Sequence, residues 1–258
     1  MIAEKLIYLW GMMTLNDRGK NSEILVLAVN FENDDGEEDF IYPVIIVDGR
    51  EKILIDCGYP GFLPKLEQAA IAAGAPLEEV TAVIITHHDY DHCGALWELC
   101  EKYPNIRVMA SELEAPYISG EKKSPRLEQA EAVFKTSRGE RKASAKKISN
   151  KLKTVKPVLV DVKLKNDDAF SWCGGVRIVA SPGHTSGHIS VYVRRHKTMI
   201  TGDALVLSDG KLRVANLNYA VDPDEAKASA KKLEAFDIKW FICYHGGVVE
   251  VGTSSSDL

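Results

Sequence analysis

The sequence predicts an α/β fold, and two observations carry that prediction. Short apolar, β-branched runs alternate with stretches of helical period along most of the 258 residues. Four of those runs end in loops that hold His or Asp. Alternating strand-like and helix-like segments are the pattern of layered α/β architectures. Polar groups gathered at strand ends are how such scaffolds build sites. The length suits one large α/β unit, so residues 1–258 are expected to form a single domain.

The elements follow in order. Residues 22–29 read as a strand, and Asn33-Asp34-Asp35-Gly36 as a turn. Residues 42–47 and 52–55 flank Asp48-Gly49 as a hairpin, and the second strand ends in Asp56-Cys57-Gly58. Residues 60–73 have a helical stripe through Leu63, Leu66 and Ala70, with Gly74 as the stop. Residues 81–86 form a buried strand that runs straight into His87-His88-Asp89-Tyr90-Asp91-His92. A helix over 94–103 and a short strand over 106–110 come next. Residues 112–155 break the rhythm, being rich in Lys, Glu, Ala and Ser. They are expected to be a helical insertion lying on the surface or over a cleft; the competing account is a solvated, mobile segment. Strands are expected again at 158–164, 176–180, 189–193 and 198–200. A helix over 222–236 should be capped by Asp222 ahead of Pro223. The strand at 240–243 is read as the last, and the tail 252–258 as frayed.

Composition narrows the function classes. The net charge is −5, with 32 Lys and Arg against 37 Asp and Glu. A nucleic-acid binder would present a basic face, so no nucleic-acid partner is expected; the basic run from Arg138 to Lys156 is read as a solvated helix face. There is no run of about 18 apolar residues, so no membrane partner is expected either. The first residues do not resemble a secretory leader. The five cysteines form no Cys-x-x-Cys pair, which fits reduced thiols in a cytoplasmic protein rather than a disulfide framework. Oligomeric state is left open, a homodimer being one option.

The chemistry sits in four loops. His87, Asp89, Asp91 and His92 lie within six residues. Imidazole and carboxylate together suit zinc, iron and manganese, and crowded carboxylates are costly without a cation to compensate them. A polar turn capping the next helix is the competing account. It loses ground because Pro182-Gly183-His184-Thr185, Gly202-Asp203 and Tyr244-His245-Gly246 each follow another apolar strand. No Gly-x-Ser-x-Gly elbow is present. Cys93 opens an apolar helix and is read as core. His196 is read as surface.

With these motifs in place, the chain resembles the metallo-β-lactamase superfamily of hydrolases. The resemblance runs from Ile24 to His245 through Leu54 to Gly58, Thr86 to His92, Pro182 to Thr185, Gly202-Asp203 and His245. It implies a four-layer αββα sandwich of two mixed β-sheets with metals at one edge. It implies that His87, Asp89 and His184 bind one metal, that Asp91, His92 and His245 bind a second, and that Asp203 bridges them. Asp56 and His188 would support the site without binding metal. The family's commonest motif is His-x-His-x-Asp-His, and here the second His is Asp89. Some relatives, flavodiiron proteins included, carry a carboxylate there, so Asp89 is kept as a ligand.

The resemblance implies two divalent ions, zinc first, with iron or manganese as alternatives favoured by an added oxygen donor. It implies a metal-activated hydroxide attacking an ester, lactone or thioester of a small-molecule substrate. Asp91 would orient that hydroxide. Tyr90, inside the same loop, is a candidate to hydrogen-bond the substrate, with packing as the competing account. Among family branches, the lactonase and glyoxalase II-like one is nearest in length and spacing. The alternatives are a diiron redox protein of the same superfamily, a nuclease, and a metal-stabilised binding module without activity.

Overall fold

The computed structural model describes residues 12–16 and 22–252. The first elements are β1 (Met12–Asn16), β2 (Ser22–Leu27), β3 (Val29–Glu32), β4 (Glu38–Ile41), β5 (Val44–Asp48), β6 (Glu51–Ile55), α1 (Leu63–Ala72) and β7 (Ala82–Ile85). Then come α2 (Leu96–Lys102), β8 (Arg107–Ser111), α3 (Ala115–Ile118), α4 (Pro125–Thr136), α5 (Gly139–Leu152), β9 (Val162–Leu164), β10 (Ala169–Phe170) and β11 (Val176–Ala180). The chain continues through β12 (Ile189–Val193), β13 (Thr198–Ile200), β14 (Leu205–Ser208), β15 (Lys211–Val214), α6 (Pro223–Glu234), β16 (Trp240–Cys243) and β17 (Gly247–Glu250).

Two mixed sheets dominate. One has the order β1-β2-β5-β6-β7-β8-β9, the other β10-β11-β12-β13-β16-β17. Strand alternation sorts their side chains into layers. In β7, Ala82 and Ile84 face the second sheet, among Ile178, Val191 and Ile242. Val83 and Ile85 face outward and pack with Leu66 of α1 and Leu99 of α2. On the far side of the second sheet, Met199 and Phe241 pack with Ala230 and Leu233 of α6. The result is the expected αββα sandwich.

Strand direction then places the site. β6, β7 and β8 run parallel. β12 is antiparallel to both β11 and β13, and β13 is parallel to β16. The C-terminal ends of β11, β13 and β16 therefore share one edge of their sheet.

Helix α6 begins as expected, with Asp222 accepting hydrogen bonds from the backbone N–H of Asp224 and Glu225 at 3.0 and 2.9 Å. The stretch rich in Lys, Glu, Ala and Ser folds as α3, α4 and α5. Several boundaries differ from expectation. The strand expected over 22–29 breaks at Ala28, after which β3 and β4 form a separate hairpin around the Asn33–Gly36 turn. Residues 158–161 are irregular: Val158 N–H donates to Ile118 O and Asp161 N–H to Val108 O, so strand pairing starts only at Val162. β16 is not the last strand, because the chain doubles back through Gly246 and Gly247, at φ 97° and 90°, to pair β17 beside it. The β14–β15 hairpin was not anticipated. Its turn, Asp209-Gly210, has positive φ at both residues, the type I′ geometry that Asp-Gly favours. Of the tail expected to fray, residues 253–258 lie outside the described residues.

Candidate metal centre

His87 follows β7 by one residue beyond Thr86, and its ring is fully buried. Thr86 donates its hydroxyl proton to Asp56 Oδ2 at 2.8 Å. Its oxygen is thereby free to accept from His87 Nδ1 at 3.0 Å. Nδ1 therefore carries the ring proton and Nε2 is left as a bare lone pair. His92 is held the same way, with Nδ1 donating to Asp56 Oδ2 at 2.9 Å. Asp56 also accepts from Thr86 N–H at 2.8 Å. One carboxylate thus orients two imidazoles. It does so from φ 59°, a left-handed conformation that Asp tolerates better than most residues.

The remaining residues arrive from the second sheet. His184 lies in the loop after β11, Asp203 after β13, and His245 after β16. Gly183, immediately before His184, has φ 122°, and a Cβ there would sit 2.1 Å from Ala226 N. Only glycine lets the loop come this close to the start of α6. Asp203 is fixed through its backbone: its N–H donates to His188 Nε2 at 2.9 Å, while His188 Nδ1 pairs with Ser181 Oγ. Both ring nitrogens of His188 are engaged within the protein. Burial pushes its pKa down to about 3, so the ring stays neutral.

These residues converge as two triplets. His87, His184 and Asp203 form one, and Asp91, His92 and His245 the other; within each, one ligand atom per residue lies within 4.8 Å of the others. Asp203 stands between the triplets. Its Oδ2 is 3.4 Å from His184 Nε2, while Oδ1 is 3.3 Å from His92 Nε2 and 3.6 Å from His245 Nε2. Asp91 Oδ2 is 3.3 Å from His245 Nε2 and 3.8 Å from His92 Nε2.

The donor set fits a divalent cation. His87 Nε2, His92 Nε2 and Asp203 Oδ1 are buried without a hydrogen-bond partner, an expensive arrangement that a cation would relieve. Nitrogen and carboxylate oxygen are donors that suit zinc, iron and manganese. Among themselves, the imidazoles and carboxylates compensate one another: burial opposes a charge on His92, but Asp203, Asp56 and Asp91 raise its pKa well above the usual imidazole range. Burial, and then the positive charge that His92 could carry, keep His87 well below the usual imidazole range. Burial opposes ionisation of Asp203, yet His92, His245 and His184 hold its carboxyl well below the usual range.

Asp89 differs from the other residues read as ligands. Its Oδ2 lies 3.1 Å from His184 Nε2 and 3.4 Å from His87 Nε2, at the rim of the first triplet. Its Oδ1 is taken by Arg126 Nε at 2.6 Å. Arg126 was not among the sequence candidates. His88, the neighbour displaced from the expected motif, points away into a buried network. Its ring Nδ1 and backbone N–H meet Glu114 Oε2. Glu114 Oε1 accepts from Thr185 Oγ1 at 2.7 Å and Gly187 N–H at 2.9 Å. Glu114 therefore ties the His87 loop to the His184 loop, and it too was missed. Tyr90 packs edge-on against Tyr59 with centroids 5.1 Å apart. Burial, then the charge of Asp91, pushes its phenol up to about 12.

The site opens into a cavity of about 1000 Å³. Asp89, Tyr90, Asp91, His184, Asp203 and His245 line its floor, and α4 and α5 supply a wall that includes Val133, Ala145, Ile148 and Leu152. That volume and partly apolar lining suit a small organic molecule. Among the described residues no helix is long and apolar enough to cross a membrane.

A family model described as the metallo-beta-lactamase superfamily matches residues 36–245. The uncharacterized protein YobT of Bacillus subtilis (strain 168) is 28% identical over 198 residues, which is 76% of each chain. The probable metallo-hydrolase YybB of the same organism is 26% identical over 185 residues, 72% of this chain and 71% of its own. Among solved structures, a metallo-beta-lactamase family protein from Thermus thermophilus, TTHA1429, superposes with a TM-score of 0.67 at 20% identity. That match covers 88% of this chain and 74% of the other.

Proposed function

Because the chain belongs to the metallo-beta-lactamase superfamily, we propose that it is a metal-dependent hydrolase of a small ester, lactone or thioester. One observation carries the reading: two His/Asp triplets, joined at Asp203, meet at the floor of a cavity with a partly apolar wall. His87, His184 and Asp203 would hold one cation, with Asp89 Oδ2 at its rim. Asp91, His92 and His245 would hold the other. Zinc is the leading candidate for both, and iron or manganese suits the same donors.

Divalent cations bound there supply Lewis acidity for a carbonyl oxygen and lower the pKa of a water. The chain's own residues do the rest. Asp203 sets the spacing of the two triplets. Asp91, partly open to the cavity, is the carboxylate that orients the attacking water and takes up its proton. Tyr90 stays protonated at neutral pH and offers a hydrogen-bond donor to a substrate oxygen. The apolar side chains of α4 and α5 receive the acyl portion and keep bulk water from it.

The test is direct. The zinc-supplemented protein is assayed against an aryl ester, a lactone and a thioester, beside an Asp91→Asn variant. The variant is expected to lose at least about 100-fold in kcat/KM while keeping its fold by circular dichroism. Equal rates for the two proteins would overturn the proposal. Elemental analysis of the protein as purified identifies the metal.

A further inference from the structure

Arg126 sits in the first turn of α4, on the wall facing the site, and its guanidinium reaches the first triplet. Nε donates to Asp89 Oδ1 at 2.6 Å. Nη2 lies 3.1 Å from His184 Nε2 and donates to the carbonyl of Tyr219 at 3.0 Å. The guanidinium carbon also lies 5.7 Å from the centroid of the Tyr219 ring. The side chain is 24% exposed, so the group is anchored from both sides rather than free in solvent.

The contact to His184 has a chemical consequence. The acceptor nitrogen of a neutral imidazole has a single lone pair. His184 Nε2 lies 3.1 Å from both Arg126 Nη2 and Asp89 Oδ2, so in either tautomer the atom is engaged within the Arg126–Asp89 pair, and a cation must displace that contact. The second triplet carries no such competitor: among the described residues, none of Asp91, His92 and His245 is ion-paired with a Lys or Arg.

We propose that Arg126 is a built-in competitor for the first triplet, so that the two triplets fill in order, Asp91–His92–His245 before His87–His184–Asp203. The inference rests on the metal-dependent reading above. With the first triplet empty, Arg126 satisfies Asp89 and His184. A cation entering that triplet must displace Nη2 from His184, while Nε keeps Asp89 Oδ1 and leaves Oδ2 as the single oxygen available. The protein is thus a one-metal species over a window of metal concentration and a two-metal species only above it.

The test is equilibrium titration of the metal-free full chain with Zn²⁺ against a chromophoric chelator. Wild type is expected to show two separated dissociation constants. Arg126→Gln should tighten the weaker constant by about tenfold or more, the scale of one charge-assisted hydrogen bond, and leave the tighter one unchanged. Arg126→Lys, which keeps the charge but not the planar fork, should fall between them and serves as the measurement if Gln compromises the fold. His245→Ala assigns the phases by removing the tighter one. Weaker or unchanged constants in both Arg126 variants overturn the inference, as does loss of the looser phase in His245→Ala. Wild-type protein that binds no Zn²⁺ overturns the hydrolase reading itself, and this inference with it.

Discussion

His92 donates its Nδ1 proton to Asp56 Oδ2 across 2.9 Å, and Asp56 holds that position from a left-handed backbone at φ 59°. The same carboxylate takes the Thr86 hydroxyl, which in turn fixes His87. Asp56 therefore sets the tautomer of one imidazole in each triplet without entering either. An Asp56→Asn variant keeps the shape and the tolerance of positive φ but can present an amide N–H to the His92 ring. It is expected to bind zinc about 10- to 100-fold more weakly, the usual cost of removing such a partner. Chelator competition measures this, and an unchanged affinity would show that the imidazoles orient themselves.

Glu114 makes a second prediction. It is 0% exposed and accepts from four donors on two different loops. Burial opposes its charge, but His88 and Thr185 more than offset that and hold its carboxyl below the usual range. In Glu114→Gln one oxygen becomes an amide nitrogen that faces two donors. The expected loss is about 3 kcal/mol, or roughly 10 °C in melting temperature for a chain of this size. A calorimetric scan of the metal-free protein reads it directly. A shift below about 2 °C would mean that the network rearranges around the amide.

Much of this was legible in the sequence because the signals were local. The β-branched run 82–85, the Gly183 turn and the Asp222 cap are each written within a few residues. The residues of both triplets stood out because each follows an apolar strand. Glu114 and Arg126 were not legible. Each lies in a stretch whose apolar positions are sparse, and each acts on partners far away in sequence: Arg126 reaches Asp89 and His184, 37 and 58 positions distant. Only the tertiary placement of α3 and α4 makes them part of the site. The β14–β15 hairpin is a different case. Asp209-Gly210 between Leu205, Leu207, Leu212 and Val214 is a hairpin signal, but each strand is only four residues long and partly polar, so no apolar run marks it.

Tyr90 separates binding from packing. Its ring meets Tyr59 edge-on, and its phenol, pushed up to about 12, stays neutral through the working pH range. Tyr90→Phe removes the hydroxyl and keeps the ring. Stability should stay within about 0.5 kcal/mol. If the hydroxyl bonds the substrate, KM should rise about threefold to tenfold. That ratio should be the same at pH 6 and pH 9, because the phenol does not ionise between them. Unchanged kinetics would assign Tyr90 to packing alone.

Gly183 tests how tightly the first triplet depends on its backbone. At φ 122°, with a hypothetical Cβ 2.1 Å from Ala226 N, the position excludes a side chain for two separate reasons. Backbone strain at positive φ costs about 1–3 kcal/mol, and the overlap with the first turn of α6 forces one of the two segments to move. The Asp222 N–H donates to Gly183 O and the Val221 N–H to His184 O, so moving the loop also strains the α6 cap. Gly183→Ala is therefore expected to destabilise the fold by at least about 2 kcal/mol. It should also displace His184, weakening metal binding at the first triplet while the Asp91–His92–His245 triplet keeps its affinity. Denaturant unfolding and the two-phase zinc titration read the two effects separately. Equal weakening of both phases would show that Asp203, rather than the His184 loop, transmits the change.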